Sequence, residues 1–256
     1  MTIIPTPRTL GRPLIRLDTV GSTMDEVLAL AQVGAGEGTV VVAEHQTAAR
    51  GRADRIWTTP AASALLFSIL LRPNFPVTDL PTLSLLSALA VTDAISDLFD
   101  LSLSIKWPND VLIDGRKCCG ILLRSHMLPS ERFPVVVLGI GLNANIGIDD
   151  LLPTATSLAV ASGRLVDRDE LLAEVLRRLE LVYQSMLAHD LDADWARLTA
   201  RLAYWDETVT VQDGDRQLSG TISGLGKGGE LLLRSEAGET VTVVSGDVTR
   251  GPRPIG

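Results

Sequence analysis

The chain has 256 residues, 46% of them hydrophobic and 21% charged, with a formal net charge of −8. That length buries a large core in one domain and leaves room for a small appendage, while the acidic balance excludes a global basic footprint for nucleic acid. The two cysteines, Cys118 and Cys119, are neighbours and give no disulfide framework, which suits a reducing cytoplasm.

His45, His126 and His189 stand apart, with no second ligand at metal-binding spacing. No apolar secretory segment opens the chain, and no run of about 18 apolar residues is available to cross a membrane.

In chain order, residues 1–13 read as an irregular leader. Leu14–Leu17 alternate weakly as a short strand. Met24–Val33 follow a helical pattern, with Thr23 and Glu26 spaced as a capping box. The β-branched run 39–44 predicts a buried strand, and the polar, charged segment 46–59 predicts a long loop. Leu65–Leu71 predicts a strand, and 80–99 a core-facing helix. Leu103–Lys106 predicts a strand that ends at the turn Trp107-Pro108-Asn109-Asp110. Residues 111–113 and 120–123 flank Asp114-Gly115 as a hairpin.

Val135–Leu142 is a strongly apolar strand, and Asp167 with Glu170 caps a second long helix that runs to about Leu187. Residues 195–204 predict a further short helix. Beyond Trp205, short β runs at 208–212, 217–223, 230–234 and 240–244 alternate with glycine turns, which predicts a small β-barrel appendage. The expected division is 1–205 and 206–256.

Two polar segments carry the chemistry. Arg50, Arg52 and Arg55 surround Gly51; guanidinium forks match phosphate and carboxylate oxygens, and glycine lets backbone amides approach an anion. The same arginines also suit a solvated loop with scattered salt bridges. Pro108 fixes its own φ and drives Trp107 out of the helical region, so the turn aims Asn109 and Asp110 at one point. A carboxylate beside an amide fits Mg²⁺, which shares its coordination with phosphate and water, yet Asn and Asp are equally good turn formers.

Lys117 can neutralise a phosphate as a point charge, or serve as an exposed hairpin lysine. Ser22 and Thr23 can hold a small polar ligand, or cap a helix. Gly139-Ile140-Gly141-Leu142-Asn143 lacks the third glycine and acidic partner of a dinucleotide fingerprint, and no Gly-x-x-x-x-Gly-Lys-Ser/Thr loop is present. A nucleotide enzyme built from this chain therefore uses another cradle.

Taken in order and spacing, six segments resemble the biotin protein ligases. They are Gly21-Ser22-Thr23, Ala43-Glu44-His45-Gln46, Arg50-Gly51-Arg52 with Arg55 and Trp57, Lys106-Trp107-Pro108-Asn109-Asp110, Lys117 with Gly120-Ile121-Leu122, and Gly139–Asn143. The resemblance covers residues 14–160 by motif and the C-terminal β region by layout. It implies an α+β fold: a mixed β-sheet with packed helices, of the class II aminoacyl-tRNA synthetase-like type, followed by a small SH3-like β-barrel.

The implied activity is that of a biotin–[acetyl-CoA-carboxylase] ligase. Biotin and Mg-ATP give biotinyl-5'-AMP, and biotin then passes to a lysine of a biotin carboxyl carrier protein or domain of acetyl-CoA carboxylase or a related carboxylase.

The resemblance also implies residue roles. Ser22, Thr23, Met24, Gln46 and Gly120 fall on the biotin side. Arg50, Gly51 and Arg52 match the adenylate-binding loop. Arg55, Trp57 and Asn143 fall on the nucleotide side. Lys117 matches the lysine at the biotin carboxylate and α-phosphate, and Asn109 and Asp110 match the polar pair near Mg²⁺, with Asp110 as its protein ligand.

The arginine loop departs from the family pattern at Ala49 and Asp54, where glycines are usual. Met24 replaces an asparagine, and Arg124 stands where an acidic residue often follows Gly-Ile-Leu. These departures motivate a non-catalytic biotin sensor as one alternative; a lipoate or octanoate ligase or transferase of the same fold is another. The irregular leader leaves no room before Leu14 for the DNA-binding domain of bifunctional members, so no operator binding is expected. A homodimer is left open.

Overall fold

The computed structural model describes residues 9–52, 55–129 and 131–251. A seven-stranded sheet forms the larger part. Its strands are β1 (Leu14–Val20), β2 (Val40–Gln46), β3 (Leu65–Leu71), β4 (Leu103–Lys106), β5 (Asp110–Ile113), β6 (Arg116–His126) and β7 (Val135–Leu142), in the order β1-β2-β3-β7-β6-β5-β4. β1 and β2 run parallel; the remaining pairs are antiparallel.

The central strands read as nearly continuous apolar runs because both faces are covered. α2 (Leu80–Leu98) and α4 (Arg168–Leu187) pack on one face, against Val42, Phe67, Ile69, Leu138 and Ile140. α1 (Thr23–Gln32) covers the other with Met24, Val27 and Ala31, against Val41, Leu70, Val135 and Val137. Strand alternation continues that second face through Ser68, Gly139 and Gly141. There the apolar layer thins to small side chains, and a depression opens beside the N-terminus of α1.

Several predicted boundaries match to the residue, notably β3, β4 and β7. The cap of α1 differs: Ser22 is the N-cap and its Oγ accepts from Met24 N, while the Thr23 hydroxyl is turned into the interior. α4 starts as expected, with the Asp167 carboxylate accepting from Asp169 N and Glu170 N. The described end of the leader is anchored rather than loose. Thr9 N and Leu10 N both donate to Glu180 Oε2 on α4, and Leu10 is buried. Residues 1–8 lie outside the described residues.

α3 (Leu158–Ser162) had no sequence signal long enough to show, and α5 lies at Asp192–Ala200, earlier than the predicted 195–204.

The C-terminal part is a five-stranded antiparallel sheet of β8 (Thr208–Asp213), β9 (Arg216–Leu225), β10 (Leu231–Arg234), β11 (Thr240–Val243) and β12 (Asp247–Arg250), in the order β11-β10-β9-β8-β12. The expected barrel does not close among the described residues. β11 and β12, four residues each, are edges that pair on one side only.

Two contacts lock this sheet to the larger one. Trp107, 3% exposed, donates its Nε1–H to Gly229 O at 2.8 Å, and Gly229, at φ +89°, is packed onto the Thr82 amide at the start of α2. Trp107 is thus a structural bolt. Its neighbours Asn109 and Asp110 belong to the cavity.

Candidate active site

A cavity of about 270 Å³ opens over the small-residue patch, and the residues to which the family resemblance gives a role line it: Ser22, Thr23, Met24, Gln46, Arg50, Gly51, Arg52, Arg55, Trp57, Asn109, Asp110, Lys117, Gly120 and Asn143. Ser68, Gly139 and Gly141 also line it, together with Asp150 and Thr154 from the loop after β7. Arg124 is outside the lining.

One end of the cavity is neutral and polar. Gln46 Oε1 accepts from Thr23 N at 2.7 Å and from Thr23 Oγ1 at 3.1 Å, and Thr23 Oγ1 lies 2.8 Å from Ser68 Oγ. A backbone donor on Oε1 fixes the orientation of the amide, so the Gln46 NH₂ is the edge left to a ligand. Met24 packs its thioether on Gly139: a Cβ there would fall 2.8 Å from Sδ and would push the methionine side chain aside.

The other end is cationic. Gly120 and Gly141 are paired across β6 and β7, and together they form a bare floor under Trp57. A Cβ on Gly141 would come within 3.0 Å of the indole, and one on Gly120 within 3.1 Å. Lys117 Nζ stands 5.3 Å from the Trp57 ring centroid. The Trp57 Nε1–H is buried without a hydrogen-bond partner among the described residues, so the cavity wall offers a donor to an acceptor. Gly139 and Gly141 are two residues apart on one strand, so the floor positions under Met24 and Trp57 lie roughly 7 Å from each other.

Lys117 is aimed by two constraints. Its backbone bridges to Ala155, donating to Thr154 O at 2.9 Å and accepting from Thr156 N at 2.9 Å. Its ammonium sits 2.6 Å from Asp110 Oδ1. That oxygen is buried and receives no well-angled hydrogen bond among the described residues, so the contact with Lys117 is a close ion pair rather than a directed bond. Asn109 is more committed than the sequence suggested, for its Nδ2 donates to Ile121 O at 2.7 Å and its Oδ1 accepts from Arg52 Nη1 at 3.2 Å. Asn143 is buried and gives its amide to Thr156 O at 2.9 Å, which braces the loop carrying Thr154.

The arginine segment folds back on itself. Arg50 bridges to Ile56, Trp57 N donates to Ala49 O at 3.1 Å, and Gly51 N donates to Arg55 O at 2.6 Å. Ala49 is buried and is not among the positive-φ residues, so the departure from glycine there carries no conformational penalty. Asp54 lies outside the described residues.

Lys106 is paired with Asp110 across β4 and β5. Burial pulls its ammonium below the ordinary lysine range, against the opposing pull of Asp110. The two cysteines are inert: burial pushes the Cys118 thiol up to about 12 and the Cys119 thiol well up too. Among the described residues no group of three or more His, Cys, Asp or Glu is placed to hold a metal ion, and no helix is long and apolar enough to cross a membrane.

This fold and cavity define a class. Residues 18–143 match the biotin/lipoate A/B protein ligase family, and residues 205–251 match the biotin protein ligase C terminal domain. The chain is 36% identical over 244 residues to a biotin–[acetyl-CoA-carboxylase] ligase of Mycobacterium tuberculosis, covering 91% of this chain and 88% of that relative. It is 34% identical over 253 residues to a bifunctional ligase/repressor BirA of Bacillus subtilis, covering 94% and 75%. A biotin protein ligase from Aquifex aeolicus, solved in complex with biotin and ATP, superposes with a TM-score of 0.80 at 30% identity, over 93% of this chain and 99% of that one. The chain belongs to the biotin protein ligase family, and it is a ligase.

Proposed function

We propose that the cavity activates biotin with ATP and that the chain then transfers biotin to one lysine of a biotin carboxyl carrier domain, such as that of acetyl-CoA carboxylase. Residues 1–205 form the catalytic part in this reading, and 206–256 the C-terminal part. The observation that carries it is the polarity of one cavity: a neutral hydrogen-bonding end at Thr23, Gln46 and Ser68, and a cationic end at Lys117 and Arg52, beside a glycine floor.

The uncharged ring of biotin suits the first end, where the Ser22 and Thr23 hydroxyls and the Gln46 NH₂ supply donors and acceptors. The carboxylate and the α-phosphate meet at the second. In the first step a carboxylate oxygen attacks the α-phosphorus, the bond to the β-phosphate oxygen breaks, and pyrophosphate leaves. Two anions must approach, so Lys117 and Arg52 lower the barrier by offsetting their repulsion and the charge that develops; one preorganised donor of this kind contributes about 3 kcal/mol.

Trp57 on its glycine floor, with a donor unspent, provides a flat face for the nucleotide; Arg50 and Arg55 stand at the rim. In the second step the carrier's lysine amine attacks the acyl carbon and AMP leaves. No enzyme nucleophile is required.

The residues suit Mg²⁺ only as a shared ligand set. Asp110 offers one carboxylate beside the Asn109 amide, and Mg²⁺ ordinarily takes one or two protein carboxylates with phosphate and water supplying the rest. Mg²⁺ bound with the nucleotide would neutralise phosphate charge there. Because Asp110 already faces Lys117, its first role here is to aim that ammonium.

The test is transfer to acceptor. With biotin, Mg-ATP and a carrier domain, the expected result is a carrier heavier by one biotinyl group on the biotin-accepting lysine. Labelling with lipoate or octanoate in place of biotin would refute the substrate assignment.

A further inference from the structure

Arg52 and Arg55 do not depend on their own loop for orientation. Asp247, the first residue of β12, lies 195 and 192 residues along the chain from them. Its carboxylate takes Arg55 Nη2 at 2.9 Å and Arg52 Nη1 at 3.5 Å. The adjacent Gly246 O accepts from Arg52 Nη2 at 3.1 Å, and Arg55 Nε donates back to Arg52 O at 3.2 Å. The two arginines are thereby closed into a ring whose other side is the C-terminal sheet.

That side is rigid. Gly246 has φ +136°, and a Cβ there would fall 2.6 Å from Val211 Cγ1 and 2.7 Å from Gln212 O, so the turn that aims its carbonyl tolerates only glycine. Arg50, by contrast, is exposed and makes no side-chain hydrogen bond among the described residues.

We propose that Asp247, with the Gly246 carbonyl beside it, is a positioning residue for adenylation: the C-terminal sheet holds Arg52 against Asn109 in the cavity wall. The inference rests on the function proposed above. Arg52 spends three of the five N–H donors of a guanidinium on Asn109, Asp247 and Gly246, and two remain for phosphate oxygens. A long side chain held from both sides loses little freedom when the anion arrives, which is the benefit of preorganisation. The C-terminal sheet is then part of the active site, although it supplies no group that touches substrate.

The experiment is steady-state kinetics on the full chain, with the parent's biotin-dependent pyrophosphate release recorded first. Asp247→Asn keeps the size of a half-exposed side chain and is expected to melt like the parent. It should lower kcat/KM for ATP roughly tenfold and leave the KM for biotin unchanged. Asp247→Glu, whose carboxylate still reaches Arg55, should recover most of the loss. In a chain carrying both Arg52→Ala and Arg55→Ala, Asp247→Asn should change ATP kinetics less than twofold, because both groups it holds are gone.

Parental ATP kinetics in Asp247→Asn, or a full tenfold loss repeated on top of the Arg52→Ala, Arg55→Ala pair, would overturn the inference while the function stands. No biotin-dependent release from the parent would overturn the function and this inference with it. Should Asp247→Asn melt early, Asp247→Ser carries the same comparison.

Discussion

Lys117→Ala separates what the ion pair with Asp110 does for the reaction from what it does for the fold. The pair is tight, at 2.6 Å, with side-chain exposures of 33% for Lys117 and 15% for Asp110. Exposed pairs contribute about 0–1 kcal/mol, whereas breaking a fully buried pair costs about 3–5 kcal/mol because a charge is stranded. This pair falls between, so losing the ammonium should destabilise the chain by about 1–3 kcal/mol, the cost of a buried acceptor without a partner. At roughly 2–4 °C per kcal/mol for a chain of this size, thermal melting resolves the change.

The rate effect is separate. Loss of a preorganised positive charge at the reacting phosphate costs about 3 kcal/mol, or roughly 10²-fold in adenylate formation. Adding Asp110→Asn removes the stranded charge. The double variant should therefore melt near the parent and be at least as slow as Lys117→Ala. A folded Lys117→Ala chain that forms adenylate at the parental rate would refute the catalytic role. A double variant that melts as low as the single one would refute the electrostatic origin of the stability loss.

Three further outcomes are expected. Gly141→Ala places a Cβ 3.0 Å from the Trp57 indole, so it should raise the KM for ATP severalfold and change nothing further in a Trp57→Ala chain; unchanged ATP kinetics would show that the ring does not face the nucleotide. Trp107→Phe deletes the donor to Gly229 O and should cost about 1–3 kcal/mol in denaturant unfolding, with no cost if the bond does not hold the two sheets together.

Lys106→Met removes an ammonium whose pKa is lowered, chiefly by burial. For a base with a depressed folded pKa, the unfolded chain binds the proton more tightly, so the penalty is full below the folded pKa and fades as pH rises to the ordinary lysine value, about 10.4. The substitution should raise the melting temperature at neutral pH, and the gain should vanish in strong alkali; a loss at neutral pH would reverse the assignment.

The sequence made the frame readable because the central strands are buried on both faces. Leu65–Leu71 and Val135–Leu142 show as apolar runs with sharp ends, the first interrupted by Ser68 alone. Asp167 could be read as a cap because its carboxylate acts within its own turn. The cap of α1 was misplaced by one residue because the Thr23 hydroxyl is drawn away by Gln46 and Ser68, neither of which is local.

The site was legible through motif order, while its working parts depend on contacts across the fold. Gly139 and Gly141 read as a failed dinucleotide signature and as members of a motif with no role of their own; the structure shows the space they leave under Met24 and Trp57. Ser68 lies in an apolar strand and gave no polar signal of its own. Asp247 sits in a β run some two hundred residues from the arginines it holds, and no local pattern joins them. The closed barrel was inferred from strand number and turn spacing, which do not encode whether the edge strands meet.

Pyrophosphate release from Mg-ATP without any acceptor protein, with biotin compared against lipoate and octanoate, tests the central claim most directly. The account predicts biotin-dependent release of about one equivalent per chain, since the cavity makes the mixed anhydride and retains it. Release with lipoate or octanoate alone, or biotin binding without release, would contradict it.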